Sequence, residues 1–145
     1  MCLNNWGGID HKVLEFHEYV NLFSGKSGSG KSTVMDAIQV ILYGSFSPSF
    51  LNKAADDAKN RRSVLSYLRG EQKDGSANRK DCDFCSVIAL EIEDTGTHII
   101  TCIGIAFEVR KSDSEIKKFV YFSHSGKMPE SEYLTEQGVC YSNQE

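Results

Sequence analysis

No apolar run in these 145 residues approaches the roughly 20 residues that a membrane-spanning helix needs. The longest run, around residues 40–43, is far shorter, and no basic stretch with an apolar core follows Met1. Internal repeats and low-complexity tracts are absent as well. We therefore expect a single intracellular, cytoplasmic domain with no membrane partner.

The cysteines lack the pattern of a disulfide framework. There are five of them, an odd number without a secretory signal, which favours reduced thiols. Cys82 and Cys85 form a lone CxxC, but tetrahedral zinc needs two further ligands, and no second CxxC or HxxxH pair accompanies it. We expect two free cysteines in a surface loop.

A strong excess of one charge is also missing. The formal net charge is −4, which argues against general coating of nucleic acid. The charge is nevertheless uneven, because residues 51–80 carry eight basic side chains against four acidic ones. After Lys127 the chain has no further Lys or Arg. A locally basic stretch at 51–80 is expected.

Hydrophobic patterning predicts a strand and a helix in the first part of the chain. The run 19–23 predicts a buried strand that leads into a glycine-rich loop, after a turn at Trp6-Gly7-Gly8. Apolar residues throughout 32–43 predict a largely buried helix. Its one polar stripe would consist of Asp36, Gln39 and Tyr43.

In the second part of the chain the spacing of the apolar residues changes. A short helix is expected at 61–69, followed by an exposed polar loop at 71–86. Two-residue alternation then predicts two strands joined by a tight hairpin, and a third strand after them. These strands are expected at 87–93, 99–109 and 119–122, with the start of a helix at 131–137.

The segment 25–32, Gly-Lys-Ser-Gly-Ser-Gly-Lys-Ser, satisfies the phosphate-binding pattern GxxxxGK[ST] in full. Its glycines permit backbone angles closed to other residues, so successive N–H groups can surround a phosphate, and the following helix adds its dipole. Lys31 would reach the β- and γ-phosphates, Ser32 would bind Mg²⁺, and Thr33 would donate to the α-phosphate. The predicted site for ATP and Mg²⁺ comprises Gly25, Lys26, Ser27, Gly28, Ser29, Gly30, Lys31, Ser32 and Thr33.

Hydrolysis needs more than this loop. A second carboxylate must hold the metal, usually at the end of an apolar strand, and another group must activate the attacking water. The runs that end at Glu91 and Glu108 come nearest, but both lie in the amphipathic hairpin, where glutamates are expected to face solvent. No complete catalytic set is expected in this chain, and Lys31 would only stabilise phosphate.

The string GKSGSGKSTVMDAI at 25–38 resembles the P-loop of the SMC group of ABC-type ATPases. Asn5-Trp6-Gly7 before it, Asn52-Lys53-Ala54-Ala55 after it, and the stretch from Arg62 through 66–70 resemble SMC-like ATPases of the MukB, MksB and Wadjet JetC kind. The resemblance covers about the first 70 residues.

The resemblance implies an α/β fold, the P-loop NTPase N-terminal lobe of an ABC/SMC-type head, with a mixed sheet and an antiparallel β subdomain. The single nucleotide-binding lobe 1–145 would divide into four parts. These are the P-loop core 1–70, the exposed loop 71–86, the antiparallel strands 87–123, and a segment 124–145 that leads towards an absent coiled coil.

The function implied by the resemblance is ATP binding within a condensin-like, DNA-acting ATPase that serves chromosome organisation, DNA repair or defence against plasmids. A C-terminal lobe would supply the Walker B acid and the signature loop, and a second head copy would complete the nucleotide site. DNA, a kleisin-like subunit and other non-SMC subunits are implied partners, and association with the nucleoid is implied as well.

Several single residues are given roles only by this resemblance. Arg61, Arg62 and Arg69 are implied to lie near nucleotide or DNA, with a solvated helix face as the alternative. Gln137 is a candidate for the glutamine that contacts Mg²⁺ at the junction of the lobes. Trp6 could pack near the adenine, although an aromatic side chain that anchors the sheet is favoured.

Two other functions remain open at this stage. A small P-loop kinase would combine the same loop with an arginine-rich lid from 61–80, although such kinases continue with parallel strands and not with an antiparallel hairpin. A non-catalytic nucleotide- or nucleic-acid-binding module would merely retain the loop. Phosphoryl transfer would identify the kinase, and an unchanged nucleotide affinity after Lys31→Ala would identify the module.

Overall fold

The computed structural model describes residues 1–45, 51, 63–71 and 75–135. Within these ranges no helix is both long and apolar enough to span a membrane. Five strands and two helices follow one another along the described chain. They are β1 (Cys2–Trp6), β2 (Ile9–Val13), α1 (Lys31–Tyr43), α2 (Val64–Leu68), β3 (Phe84–Glu93), β4 (Ile100–Val109) and β5 (Lys118–Ser125).

The strands form one sheet in the order β2-β1-β3-β4-β5. Every neighbouring pair in this described sheet is antiparallel, so the expected mixed sheet is wrong for this part of the chain, whereas the α/β class is confirmed. A tight connection explains the pairing of β1 with β2, because antiparallel strands can be joined by a link as short as the turn at Gly7 and Gly8.

The three strands expected in the second half are confirmed. β3 and β5 are longer than the sequence indicated, whereas β4 begins at Ile100 and not at Ile99. β3 and β4 pair in register from Phe84 opposite Val109 to Glu93 opposite Ile100. In the connecting turn, one carboxylate oxygen of Asp94 accepts hydrogen bonds from Thr97 N at 2.7 Å, Thr97 Oγ1 at 2.9 Å and Gly96 N at 3.0 Å. These hydrogen bonds lower the pKa of Asp94 below its ordinary value, and the two from Thr97 contribute most.

The buried strand expected at 19–23 is wrong. Residues 14–25, all of them described, form neither helix nor strand, and Tyr19, Val20 and Leu22 are 88%, 76% and 88% exposed. The Asn21 side chain instead makes two hydrogen bonds to the backbone of His17, 2.7 and 2.8 Å long. An apolar run becomes a buried strand only where other elements cover it, and the described residues supply no such cover.

The two faces of the sheet bury separate cores, because side chains alternate along each strand. One face, which includes Leu3, Trp6 and Phe107, packs against α1 and α2. The opposite face carries Cys2, Val87, Ala89 and Ala106 and is covered by side chains that follow β5, among them Tyr133 and Leu134. Trp6 is fully buried in the first core, as the sheet-anchoring hypothesis predicts.

The helices differ from their expected forms in detail. On α1 the expected polar stripe is wrong at Asp36, which is buried and accepts a hydrogen bond from the Tyr67 hydroxyl of α2 at 3.1 Å. α2 is shorter than the expected 61–69, since the Ser63 side chain caps it by accepting from Ser66 N. Residues 131–135 contain a turn at 131–133 and no helix, so the helix expected to begin there is wrong for the described part.

The two cysteines of the CxxC pattern have different environments. Cys82 is an exposed free thiol in the loop before β3. Cys85 lies within β3, is buried in the second core and is disulfide-bonded, so the expectation of two free surface cysteines is wrong for Cys85. Its burial follows from the strand beginning at Phe84, earlier than the sequence indicated.

Arg79 was expected in an exposed basic stretch, but it is only 6% exposed. Its guanidinium donates to the carbonyl of Leu68 at 3.0 and 3.2 Å, to the carbonyl of Gly7, and to Asp10 Oδ1 at 2.5 Å. It therefore joins the end of α2 to the β1–β2 hairpin. Arg79 has a structural position and does not contribute to a basic surface.

We expect Arg79→Ala to lower the free energy of unfolding by about 2–3 kcal/mol. The buried carbonyls of Leu68 and Gly7 would each lose a donor, at about 1–1.5 kcal/mol per bond. Urea unfolding followed by circular dichroism measures the change. Lys80→Ala is the matched control, because Lys80 is adjacent and exposed, and its effect should stay within about 0.5 kcal/mol. Unchanged stability of Arg79→Ala together with weaker DNA binding would contradict the structural role.

Candidate phosphate-binding loop

The glycine-rich loop runs directly into α1, which begins at Lys31 immediately after Gly30. Gly30 adopts the left-handed conformation, with φ 88° and ψ 8°, and Gly28 does so with φ 83°. Other residues rarely adopt such angles, which explains the glycines of the pattern. Among the described residues no side chain caps the helix, so the N–H groups of its first turn are available to an anion.

The Lys31 side chain folds back over this loop. Its ammonium donates to the carbonyl of Gly25 at 2.7 Å, to the carbonyl of Lys26 at 2.9 Å and to Ser29 Oγ at 3.3 Å. An ammonium group has three hydrogens, and these three acceptors fix it above the loop. A phosphate that enters the loop would therefore meet a cation already held at its rim.

The first turn of α1 is attached to the sheet. Trp6 Nε1 donates to the carbonyl oxygen of Thr33 at 2.8 Å. The methyl group of Thr33 also approaches the β1–β2 turn so closely that a Cβ at Gly7 would lie 3.0 Å from it. Ser32, between Lys31 and Thr33, is exposed at the start of the helix. The sheet thus sets the position of the helix end that carries the predicted Mg²⁺ and phosphate ligands.

The residues and conformations fit a bound nucleoside triphosphate with Mg²⁺. The loop offers N–H groups at an uncapped helix end, a positioned ammonium and an exposed serine hydroxyl, which are the groups that phosphate and a phosphate-bound Mg²⁺ require. Assignment of Gly25 to Thr33 to the site stays a prediction.

The two carboxylates nearest to a Walker B pattern have other partners. Glu91 is exposed and accepts a hydrogen bond from Met128 N at 2.7 Å. Glu108 forms ion pairs with Lys118 and, at 3.5 Å, with Arg110. Both are strand positions that reach solvent, as the alternating pattern indicated.

Other predicted site residues do not meet at the loop in the described structure. Arg69 donates through Nη2 to the carbonyls of Arg110, Lys111 and Asp113, at 3.2, 3.0 and 3.0 Å, and so fixes the link between β4 and β5. Its contact with nucleotide or DNA stays a prediction. Arg61, Arg62 and Gln137 lie outside the described residues.

Sequence reasoning missed three interactions that support the loop and its surroundings. They are the bond from Trp6 to Thr33, the bond from Tyr67 to Asp36, and the buried guanidinium of Arg79. Each joins residues at least 11 positions apart, with separations of 27, 31 and 11. No local pattern marks such pairs, although the tryptophan within Asn5-Trp6-Gly7 was a visible signal.

Comparison with known proteins agrees with a P-loop assignment. Residues 1–58 match the family described as the P-loop containing region of AAA domain. The chain is also similar to SbcC, a component of the nuclease SbcCD of Staphylococcus haemolyticus, with 33% identity over 72 residues. That segment is 47% of this chain but only 6% of the SbcC protein. Together these similarities support an SMC-like P-loop ATPase, and they do not single out the MukB, MksB or JetC kind.

Proposed function

We propose that this chain is the ATP-binding N-terminal lobe of an SMC-like, DNA-acting ATPase, with ATP and Mg²⁺ as cofactors. The observation that carries the proposal is the position of the Lys31 ammonium, held by three oxygens of a glycine-rich loop at the uncapped N-terminus of α1. Similarity to a P-loop family and to a component of a nuclease supports both the nucleotide and the link to nucleic acid.

Each part of the loop has a separate task. The N–H groups of 28–30 and the first turn of α1 would bind the β-phosphate, and Thr33 would donate to the α-phosphate. Lys31 would neutralise charge on the β- and γ-phosphates, and the Ser32 hydroxyl would hold Mg²⁺, which would supply further positive charge to the phosphates. The bond from Trp6 to Thr33 keeps this helix end in place.

Exposed apolar side chains near the loop favour a covering partner. Tyr19, Val20 and Leu22, which precede the loop, are 88%, 76% and 88% exposed. Large apolar groups in one part of a surface commonly mark a protein interface. We assign this surface to the C-terminal lobe, which would supply the Walker B acid and the signature loop. Engagement of a second head copy would then complete the nucleotide site.

The finer assignments rest on the same resemblance. The chain would belong to a condensin-like complex of the MukB, MksB or JetC kind, associated with the nucleoid and with a kleisin-like subunit. Arg61 and Arg62 would contact DNA, and Gln137 would contact Mg²⁺ at the junction of the lobes. The antiparallel sheet disfavours the kinase alternative, since P-loop kinases continue with parallel strands.

The proposal is tested by measuring ATP binding and ATP turnover on the same sample. We expect Mg²⁺-dependent binding of ATP by isothermal titration calorimetry, with turnover well below about 1 per second. Ser32→Ala should remove most of the Mg²⁺ dependence. Hydrolysis at about 1–10 per second by the isolated chain would contradict a site divided between two lobes.

DNA binding is tested separately by its salt dependence. The affinity for duplex DNA should fall as salt rises, and replacing Arg61 and Arg62 by alanine should weaken binding. The salt slope should fall by about 0.9 for each phosphate that is no longer neutralised. Lys127→Ala is the control, because Lys127 is an exposed lysine outside 51–80, and it should change neither the DNA affinity nor the salt slope. An unaltered affinity of the double variant would remove these arginines from the proposed DNA interface.

A further inference from the structure

Three side chains capable of binding a metal meet on the sheet face opposite to α1. They are Cys2 of β1, His11 of β2 and Glu132, which follows β5. Glu132 Oε2 lies 3.1 Å from Cys2 Sγ and 2.8 Å from His11 Nε2. One donor atom from each residue lies within 4.8 Å of the other two.

The register of β1 and β2 explains how two of these residues meet. Asn4 pairs with His11 and Cys2 pairs with Val13, so Cys2 and His11 are diagonal neighbours on one face of an antiparallel pair. Such neighbours lie within reach of a long side chain such as histidine. The sheet itself therefore places a thiol and an imidazole side by side.

Glu132 is brought to the pair by an unusual turn. Glu132 N donates to Pro129 O at 2.9 Å, and both Glu132 and Tyr133 have left-handed backbone angles, with φ 51° and 65°. Residues other than glycine adopt such angles uncommonly. Packing of Tyr133 stabilises the turn, because its ring centroid lies 4.4 Å from that of Phe122 in β5. Packing of the second core thus holds the carboxylate over the edge of the sheet.

We propose that Cys2, His11 and Glu132 form a zinc site, in which a thiolate, an imidazole nitrogen and a carboxylate oxygen bind Zn²⁺ and water occupies the fourth position. Sulfur, nitrogen and oxygen ligands together suit zinc, whereas Mg²⁺ takes oxygen ligands almost alone. Tetrahedral zinc with ligand distances of about 2.0–2.3 Å separates its donor atoms by about 3.3–3.6 Å. Each of the two separations from Glu132 needs to widen by less than about 1 Å to reach that spacing.

The surroundings of the three residues resemble those of a metal site. Asn4 is buried, and its Nδ2 donates to Glu132 Oε2 at 3.2 Å and lies 3.6 Å from Cys2 Sγ. Neighbours of this kind orient the ligands of a metal. Cys2 is fully buried, whereas the His11 side chain is 58% exposed, which leaves one ligand free to adjust and one side open for entry. The site lies across the sheet from the phosphate-binding loop, so its metal would be separate from the nucleotide's Mg²⁺.

The test uses Co²⁺ as a spectroscopic substitute for Zn²⁺, with the nucleotide-free chain, in which Cys2 is a free thiol. We expect one Co²⁺ per chain, with a thiolate charge-transfer band and the visible bands of tetrahedral cobalt, both lost when one equivalent of Zn²⁺ is added. Competition with a chromophoric chelator then gives the Zn²⁺ affinity. His11→Gln should weaken the Zn²⁺ affinity by about 100-fold or more. Mutation of residues that only hydrogen-bond to metal ligands already lowers metal affinity about 10- to 100-fold.

Matched variants distinguish this site from adventitious binding. His98→Gln is the control for His11→Gln, because His98 is also exposed and pairs with a glutamate, Glu93, at 3.0 Å. Cys82→Ser is the control for Cys2→Ser, because Cys82 is a free thiol in an exposed loop. Both controls should keep the cobalt spectrum and the Zn²⁺ affinity. Cys2→Ser should lose the thiolate band, and His11→Gln should bind Zn²⁺ more weakly. Loss of the spectrum in Cys82→Ser, or an unchanged Zn²⁺ affinity of His11→Gln, would overturn the proposal.

Discussion

Lys31→Ala is expected to weaken the binding of Mg²⁺-ATP at least about 100-fold. Hydrogen bonds that involve a charged group contribute about 1.5–3 kcal/mol each, and loss of two such bonds to phosphate corresponds to at least about 3 kcal/mol. Each 1.4 kcal/mol is a tenfold change in affinity. In the free loop the ammonium bonds instead to the carbonyls of Gly25 and Lys26. These neutral acceptors form weaker hydrogen bonds than a charged phosphate does, so giving them up offsets only part of the free energy gained by binding ATP.

Isothermal titration calorimetry with ATP measures this loss directly. The control is Lys12→Ala, which removes an exposed lysine of β2 from outside the loop and should leave the affinity unchanged. Circular dichroism should show the same secondary structure in both variants, since the Lys31 ammonium bonds only to the loop in the described structure. Equal ATP affinity of Lys31→Ala and the parent chain would favour the module that merely retains the loop.

The features predicted correctly from sequence are those set by neighbouring residues. The loop at 25–32 and α1 after it follow from glycine positions and helical periodicity, which act within a few residues. The hairpin of β3 and β4 follows from two-residue alternation and from the turn around Asp94. In such segments local preference and the final fold agree, so the sequence alone is informative.

The features that were missed depend on residues far apart in the chain. The run at 19–23 has the composition of a strand, but only a neighbouring strand or covering element would make it one, and the described residues provide neither. Its neighbours in sequence place Arg79 in a charged stretch, yet it is buried and donates hydrogen bonds to two carbonyls and to Asp10. The Cys2 and Glu132 pair spans 130 positions, which no spacing rule covers.

Trp6→Ala is expected to be the most destabilising single change proposed, at about 3–5 kcal/mol. The side chain is fully buried, and its ring centroid lies 4.9 Å from that of Tyr67 and 6.4 Å from that of Phe107. Its removal would leave a cavity between the sheet and α1, and the Thr33 carbonyl would lose its donor. For a domain with a stability of about 5–15 kcal/mol, this loss is a large fraction. Tyr19→Ala, at an 88% exposed aromatic side chain, is the control and should change stability by less than about 0.5 kcal/mol.

Trp6→Phe separates packing from the hydrogen bond to Thr33. Phenylalanine keeps an aromatic ring in the core but has no N–H, so the stability loss should fall to about 1–2 kcal/mol, and the first turn of α1 should be less firmly held. Because that turn carries Ser32 and Thr33, we expect a weakening of ATP binding of less than about tenfold, which corresponds to about 1.4 kcal/mol or less. Urea unfolding and calorimetry on the same samples give both quantities. A Trp6→Phe variant of unaltered stability that binds ATP far more weakly would instead place Trp6 at the adenine, against its fully buried position beneath α1.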